Sequence, residues 1–178
     1  MNIIKEEFES IKKSDDWVLW PDKEHVNGNY EIYPMYMFGT INKKRKETCS
    51  NTYALIQNTP NVKSCVFLRV NPNSSINKNK GWSELSNKTL CCIFILESLE
   101  HPNVEKCGIW VNGESKKLTK NKLIIFDSSK EHSIYNKMDE PVYILLLDIE
   151  RPDKLPDGAS TREYTDEIYD FIQLLLTD

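Results

Sequence analysis

Apolar residues follow two rhythms along this chain. Near the amino terminus Ile3, Ile4, Phe8 and Ile11 recur among charges at close to helical spacing, which predicts a short amphipathic helix over residues 2–13. Near the carboxyl terminus Thr165, Asp166 and Glu167 cap and charge the start of a last helix over IYDFIQLLL, residues 168–176. Between these ends the apolar runs are short and rich in β-branched and aromatic residues. They are YEIYPMYMFG from Tyr30, SCVFLRV (64–70), TLCCIFILE (89–97), CGIWV (107–111), NKLIIFD (121–127) and VYILLLDI (142–149). Pro34 favours an edge position for the first run, and the near-continuous apolar character of TLCCIFILE predicts a strand buried on both faces. Asn112-Gly113 supplies the positive φ values of a type I′ hairpin turn. Short strands at this spacing, separated by turn residues, mean a sandwich or barrel.

The segments between the strands read differently. INKKRKET (41–48) predicts a solvated basic loop, and NTYALIQNTP (51–60) a short helix begun by Ser50 or Asn51 and stopped by Pro60. Ser14 to Asp16 form a turn leading to Trp17 and Trp20 as anchors, NPNSSINKNK (71–80) is a loop, and RPDKLPDGAS (151–160) is a polar linker. LIIFDSSKEHSIYN, ending at Asn136, reads as a strand, a polar loop carrying His132, and a further strand.

Length and composition narrow the class. The 178 residues, 39% of them hydrophobic, make one domain able to bury a core, and the net charge of -4 argues against bulk attraction to nucleic acid. The five cysteines, Cys49, Cys65, Cys91, Cys92 and Cys107, lack C-x-x-C spacing, so free thiols in a reducing compartment are expected. Cys91 and Cys92 point to opposite faces of their strand. MNIIKEEFESIKK has early charges and no long apolar core, so neither a signal peptide nor a membrane span is expected there, and the expected location is the cytoplasm.

With these segments in view the chain resembles the catalytic domain of aspartyl/asparaginyl β-hydroxylases, a branch of the iron(II)/2-oxoglutarate-dependent oxygenases. YPMYMFG, TYALIQNTPNV, VNP with Gly81, GIWVNGE, LIIFDSSKEHSIYN and ILLLDIERP carry the likeness, from about Tyr30 to Pro156. Phe126, Asp127, Ser129, His132 and Asn136 match the pattern around that family's second iron ligand. The resemblance implies a mainly β fold: a double-stranded β-helix of jelly-roll or cupin-like type with flanking amino- and carboxyl-terminal helices. It divides the single domain 1–178 into a lead-in (1–29), a barrel (about 30–156) and a linker with the last helix (157–178).

The same resemblance implies a site, and this chain departs from it. His132 stands at the second iron position. Asn79, in Asn79-Lys80-Gly81, stands where a His-x-Gly histidine is expected, and an amide oxygen is a poor iron(II) ligand beside imidazole. The co-substrate positions hold Leu90, Cys92 and Val142 in place of two arginines and a histidine, and an anion buried without a cation is costly. Other residues could rebuild the site: Glu84 as a carboxylate ligand, Cys92 as a soft ligand from the barrel interior, and Lys78 or Lys88 as anion partners. Asp148 reads as structural, His25 and His101 as surface residues, and Trp82 as a filler of the substrate pocket or a solvent-facing ring. The expectation is a non-catalytic relative that needs no cofactor and keeps the barrel as a binding or scaffold module for a protein or other partner. The alternative is an active iron(II)/2-oxoglutarate hydroxylase of protein Asp/Asn side chains with a rewired site.

Overall fold

The computed structural model describes residues 2–99 and 101–177, with side chains for 4–99 and 101–175, so the side chains of Ile3 and Leu176 lie outside the described residues. Helix α1 (Asn2–Ile11) leads to strand β1 (Val18–Leu19), a 3-10 turn (Lys23–His25) and β2 (Val26–Asn27). Then come β3 (Tyr30–Met37), β4 (Thr40–Ile41), α2 (Lys43–Thr48), α3 (Ser50–Asn58), β5 (Val62–Val70) and β6 (Ser74–Ile76). Helix α4 (Ser83–Ser86) precedes β7 (Thr89–Glu97), β8 (Cys107–Val111), β9 (Glu114–Lys117), β10 (Leu123–Phe126), β11 (His132–Asn136), β12 (Val142–Glu150) and α5 (Asp166–Thr177).

Among the described residues the strands form two antiparallel sheets. One runs β1-β3-β5-β12-β7-β10 with β4 beside β3, and the other runs β2-β6-β11-β8-β9. This is the cupin-like jelly roll with helices at its ends that the strand spacing and the resemblance imply. The period of two along each strand divides the larger sheet's side chains between two cores. Val66, Leu68, Cys91, Ile93, Ile95, Val142 and Ile144 face the second sheet and meet Ile109 and Ile134 there. Cys65, Phe67, Cys92, Phe94, Tyr143 and Leu145 face outward, under Phe8 and Ile11 of α1 and Tyr53 and Ile56 of α3. Strands β5, β7 and β12 are therefore apolar on both faces, which is why they read as continuous hydrophobic runs.

Several local expectations change in three dimensions. Within INKKRKET, KKRKET is a helix: the Asn42 side chain accepts from the Arg45 amide as N-cap, and Arg45 is buried with its guanidinium 4.9 Å above the Tyr33 ring. The loop after Pro72 contains β6, whose Ser74 and Ser75 pair with Asn136 and Tyr135. Neither Ser50 nor Asn51 caps α3. Glu7 of α1 does so from outside, accepting from the amides of Asn51 (2.6 Å) and Thr52 (2.8 Å) and from the Thr52 hydroxyl (2.7 Å). Pro34 sits in β3 between the stretches that pair with β1 and with β4, so its missing N–H leaves no ladder bond unmade. Phe171 and Leu175 of α5 join the core between the sheets, beside Met37.

Candidate functional site

His132 and Asn79 meet at the end of the barrel where Leu90 and Cys92 begin β7, whereas Val142 begins β12 at the opposite end. Strand β10 stops at Phe126, the turn 127–131 follows, and β11 begins at His132. Asp127 holds that turn. Its carboxylate accepts from the Ser129 amide (3.0 Å) and hydroxyl (2.6 Å) and pairs with Arg151 at 2.7 Å. Burial opposes that charge, but Arg151 and Ser129 outweigh it and hold the carboxyl below its ordinary value. Arg151 also donates to the carbonyls of Ser86 and Thr89, tying the turn to the start of β7. Asp127 is thus committed to structure.

His132 is half-buried, its ring 5.3 Å from that of Phe126. Its Nδ1 lies 2.9 Å from the Lys130 carbonyl, which can only accept, so Nδ1 carries the proton and Nε2 keeps its lone pair. Burial, together with the Arg162 charge, pushes its pKa down, against the Lys130 carbonyl and Asp127, so the ring is neutral at pH 7. A neutral ring with this tautomer is what a metal-ligating histidine needs.

Asn79 stands directly opposite. Its amide donates to the His132 carbonyl (3.1 Å) and its carbonyl accepts from the His132 amide (2.9 Å), an isolated antiparallel bridge. The Asn79 side chain is already engaged. Its Nδ2 donates to the Asn77 carbonyl (2.7 Å), and its Oδ1 accepts from Arg162 Nη1 (3.2 Å). Arg162 also donates to the Lys80 carbonyl (3.2 Å), pairs with buried Asp22, and lies 5.6 Å over the Trp82 ring. His25, expected at the surface, is half-buried within this network, 3.1 Å from Asp22.

Arg162 belongs to a strap that follows β12. Ser160 donates to the Gly81 carbonyl (2.6 Å), its amide donates to Asn87 Oδ1 (2.8 Å), and the Ser83 amide donates to the Arg162 carbonyl (2.7 Å). The sequence pattern predicts only a polar linker over this stretch. Its ordering depends on contacts with residues about 80 positions earlier, which no local pattern announces.

An iron(II) ion does not suit this donor set. The amide oxygen opposite His132 is held by a guanidinium, so a fixed positive charge already stands where the resemblance implies the His-x-Gly ligand. Glu84 is exposed on α4 beside Tyr164, and Lys88 pairs with Asp157. Lys78 stacks over Trp110 at 3.7 Å.

The co-substrate positions are also placed differently from expectation. Val142 is buried between the sheets. Leu90 and Cys92 are not in the barrel interior: Cys92 lies in the outer core, and Leu90 pairs with Ile149, which packs against that core. Strand alternation turns Thr89, Cys91 and Ile93 inward instead. Among the described residues the buried cation Arg45 lies on the outer side, over Tyr33. Trp82 is buried, stacked on Trp20 at 5.9 Å and edge-on to Tyr164 at 5.6 Å.

Behind this end of the barrel lies a buried carboxyl that the sequence suggested only as structural. Asp148 faces Ser64 and Cys91, both of which hydrogen-bond to it, and its pKa is pushed up to about 6 by burial.

Comparison with known proteins agrees with the architecture. The family model described as Aspartyl/Asparaginyl beta-hydroxylase matches residues 1–152, so the likeness begins well before Tyr30. The ornithine lipid ester-linked acyl 2-hydroxylase of Rhizobium tropici is 26% identical over 120 residues, covering 67% of this chain and 41% of that protein. The chain thus spans less than half the length of this relative. A 2OG-Fe(II) oxygenase family oxidoreductase from Burkholderia pseudomallei overlays with a TM-score of 0.56 at 11% identity, over 87% of this chain and 80% of that one, which shows the shared fold. Among the described residues no helix is long and apolar enough to cross a membrane.

Proposed function

This chain belongs to the aspartyl/asparaginyl β-hydroxylase family, and we propose that within it the protein is a non-catalytic member whose barrel serves as a binding or scaffold module for a protein or other partner. The observation that carries this reading is the Arg162 guanidinium on Asn79, across the strand bridge from His132. A second cation there would meet electrostatic repulsion and would have to displace the bonds from Arg162 to Asn79, Lys80 and Asp22. A separate feature supports the same reading: the position where the resemblance implies a co-substrate cation holds Val142, which is packed among apolar side chains between the sheets.

The alternative is an active iron(II)/2-oxoglutarate hydroxylase. It draws on the His132 tautomer, which leaves Nε2 free. Protein Asp or Asn side chains are the substrates that the family description suggests, and the Rhizobium relative's name adds lipid acyl chains. The test is conversion of 2-oxoglutarate to succinate by the purified protein supplied with iron(II) and oxygen. The proposal expects no succinate above a protein-free control. Turnover that His132→Ala abolishes would overturn it.

A further inference from the structure

A cleft of about 730 Å³ opens beside the strap, between the starts of β5 and β7, the end of β12 and the β3–β4 turn. Neither His132 nor Asn79 lines it, so it is separate from the strand bridge. Its volume is in the range of small-molecule sites.

The turn that forms one wall is built at a cost. Met37 pairs with Thr40, so Phe38 and Gly39 make a two-residue hairpin loop, with φ of 50° and 77°. The β8–β9 hairpin uses the same arrangement with Asn112 and Gly113, at 45° and 102°. Asparagine tolerates the left-handed region, whereas a bulky aromatic there is strained. The strained residue points its ring at the cleft wall, edge-on to Tyr164 at 5.6 Å and 6.1 Å from Trp82. Tyr36 adds a further aromatic surface.

The charges on the rim do not cancel. Each of the three cations lining the cleft has its own carboxylate: Lys63 has Glu150 at 3.3 Å, Lys88 has Asp157, and Arg151 has Asp127. Glu84 and Asp153 also line it, and among the described residues neither has a salt-bridge partner. Tyr164 lies beside Glu84 in this wall, and its pKa is pushed up to about 12 chiefly by burial and then by the Glu84 charge. Aromatic faces with surplus carboxylates favour a positively charged guest, and disfavour an anion.

We propose that this cleft binds a small organic cation, an alkylammonium or quaternary ammonium group seated against Phe38, Tyr36 and Tyr164 and balanced by Glu84. The site goes beyond the scaffold reading and does not depend on it, since the bridge residues take no part.

Titration calorimetry of the full chain at low salt tests this with tetramethylammonium as probe and butyrate as its anionic counterpart. Saturable binding of tetramethylammonium, weak on the millimolar scale, is expected, with none for butyrate. Glu84→Gln, at an exposed position, should weaken it about three- to fivefold, and Phe38→Asn should weaken it more. Thermal melting of both variants checks that the fold persists. Equal or tighter binding of butyrate, no saturable binding of tetramethylammonium, or full binding by folded Glu84→Gln would each overturn the proposal. Succinate formation by the protein would refute the non-catalytic reading and leave this result untouched.

Discussion

Asp148 offers the sharpest test of how the barrel end is packed. Its carboxyl is buried against Ser64 and Cys91, and burial raises its pKa from 3.8 to about 6, outweighing the hydrogen bonds that favour the charge. The native state therefore holds the proton more tightly than the unfolded chain. This contribution to stability is complete below about pH 4 and is lost as pH rises through about 6. At about 1.4 kcal/mol for each pKa unit the loss is on the order of 3 kcal/mol, or several degrees in Tm for a chain of this size. Asp148→Asn keeps the shape, can still accept from Ser64, and has no charge to bury. Urea unfolding of both proteins from about pH 4 to 8 should show the variant gaining on the parent by about 3 kcal/mol, mostly between about pH 4 and 6. Taking the difference between the two proteins cancels carboxylates shifted the other way, such as Glu31 and Asp127. A difference that stays flat across this range, or that favours the parent as pH rises, would refute the reasoning.

Three other substitutions probe the elements that shape the site. Arg162→Met strips the partner from buried Asp22 and should cost about 3 kcal/mol in chemical unfolding, with much of it recovered by adding Asp22→Asn. Glu7→Gln weakens the cap that α1 provides for α3, so a loss of about 1–2 kcal/mol and faster amide exchange at Asn51 and Thr52 are expected. Gly81→Ala places a Cβ 2.9 Å from the Ser86 Cβ and 3.1 Å from the Ser128 carbonyl oxygen, both in packed surroundings. A drop of about 1–3 kcal/mol in thermal unfolding is expected, from crowding and not from a disallowed φ.

Much of the barrel was legible along the chain because its signals are local. A strand buried on both faces writes itself as TLCCIFILE or VYILLLDI, and a type I′ turn as Asn112-Gly113, whatever the rest of the molecule does. The two-faced burial also separates Cys91 from Cys92. Where the deciding contact lies far away in sequence, local reading failed. KKRKET carries a local cap in Asn42 but is fixed by Arg45 over the Tyr33 ring, and Ser74 to Ile76 become a strand because β11 offers an edge.

The site divides in the same way. The sequence alone determined which residues stand at the positions that the resemblance implies, His132 and Asn79 above all, since motif spacing is one-dimensional. It also determined that no cation stands at Val142. Only the tertiary structure decided that Leu90 and Cys92 turn outward, because strand parity depends on the pairing register. Only it brought Arg162 onto Asn79 and Asp22, across separations of 83 and 140 residues. A charge so far along the chain has no local signature, and its partners become visible only when the strap closes over the barrel end.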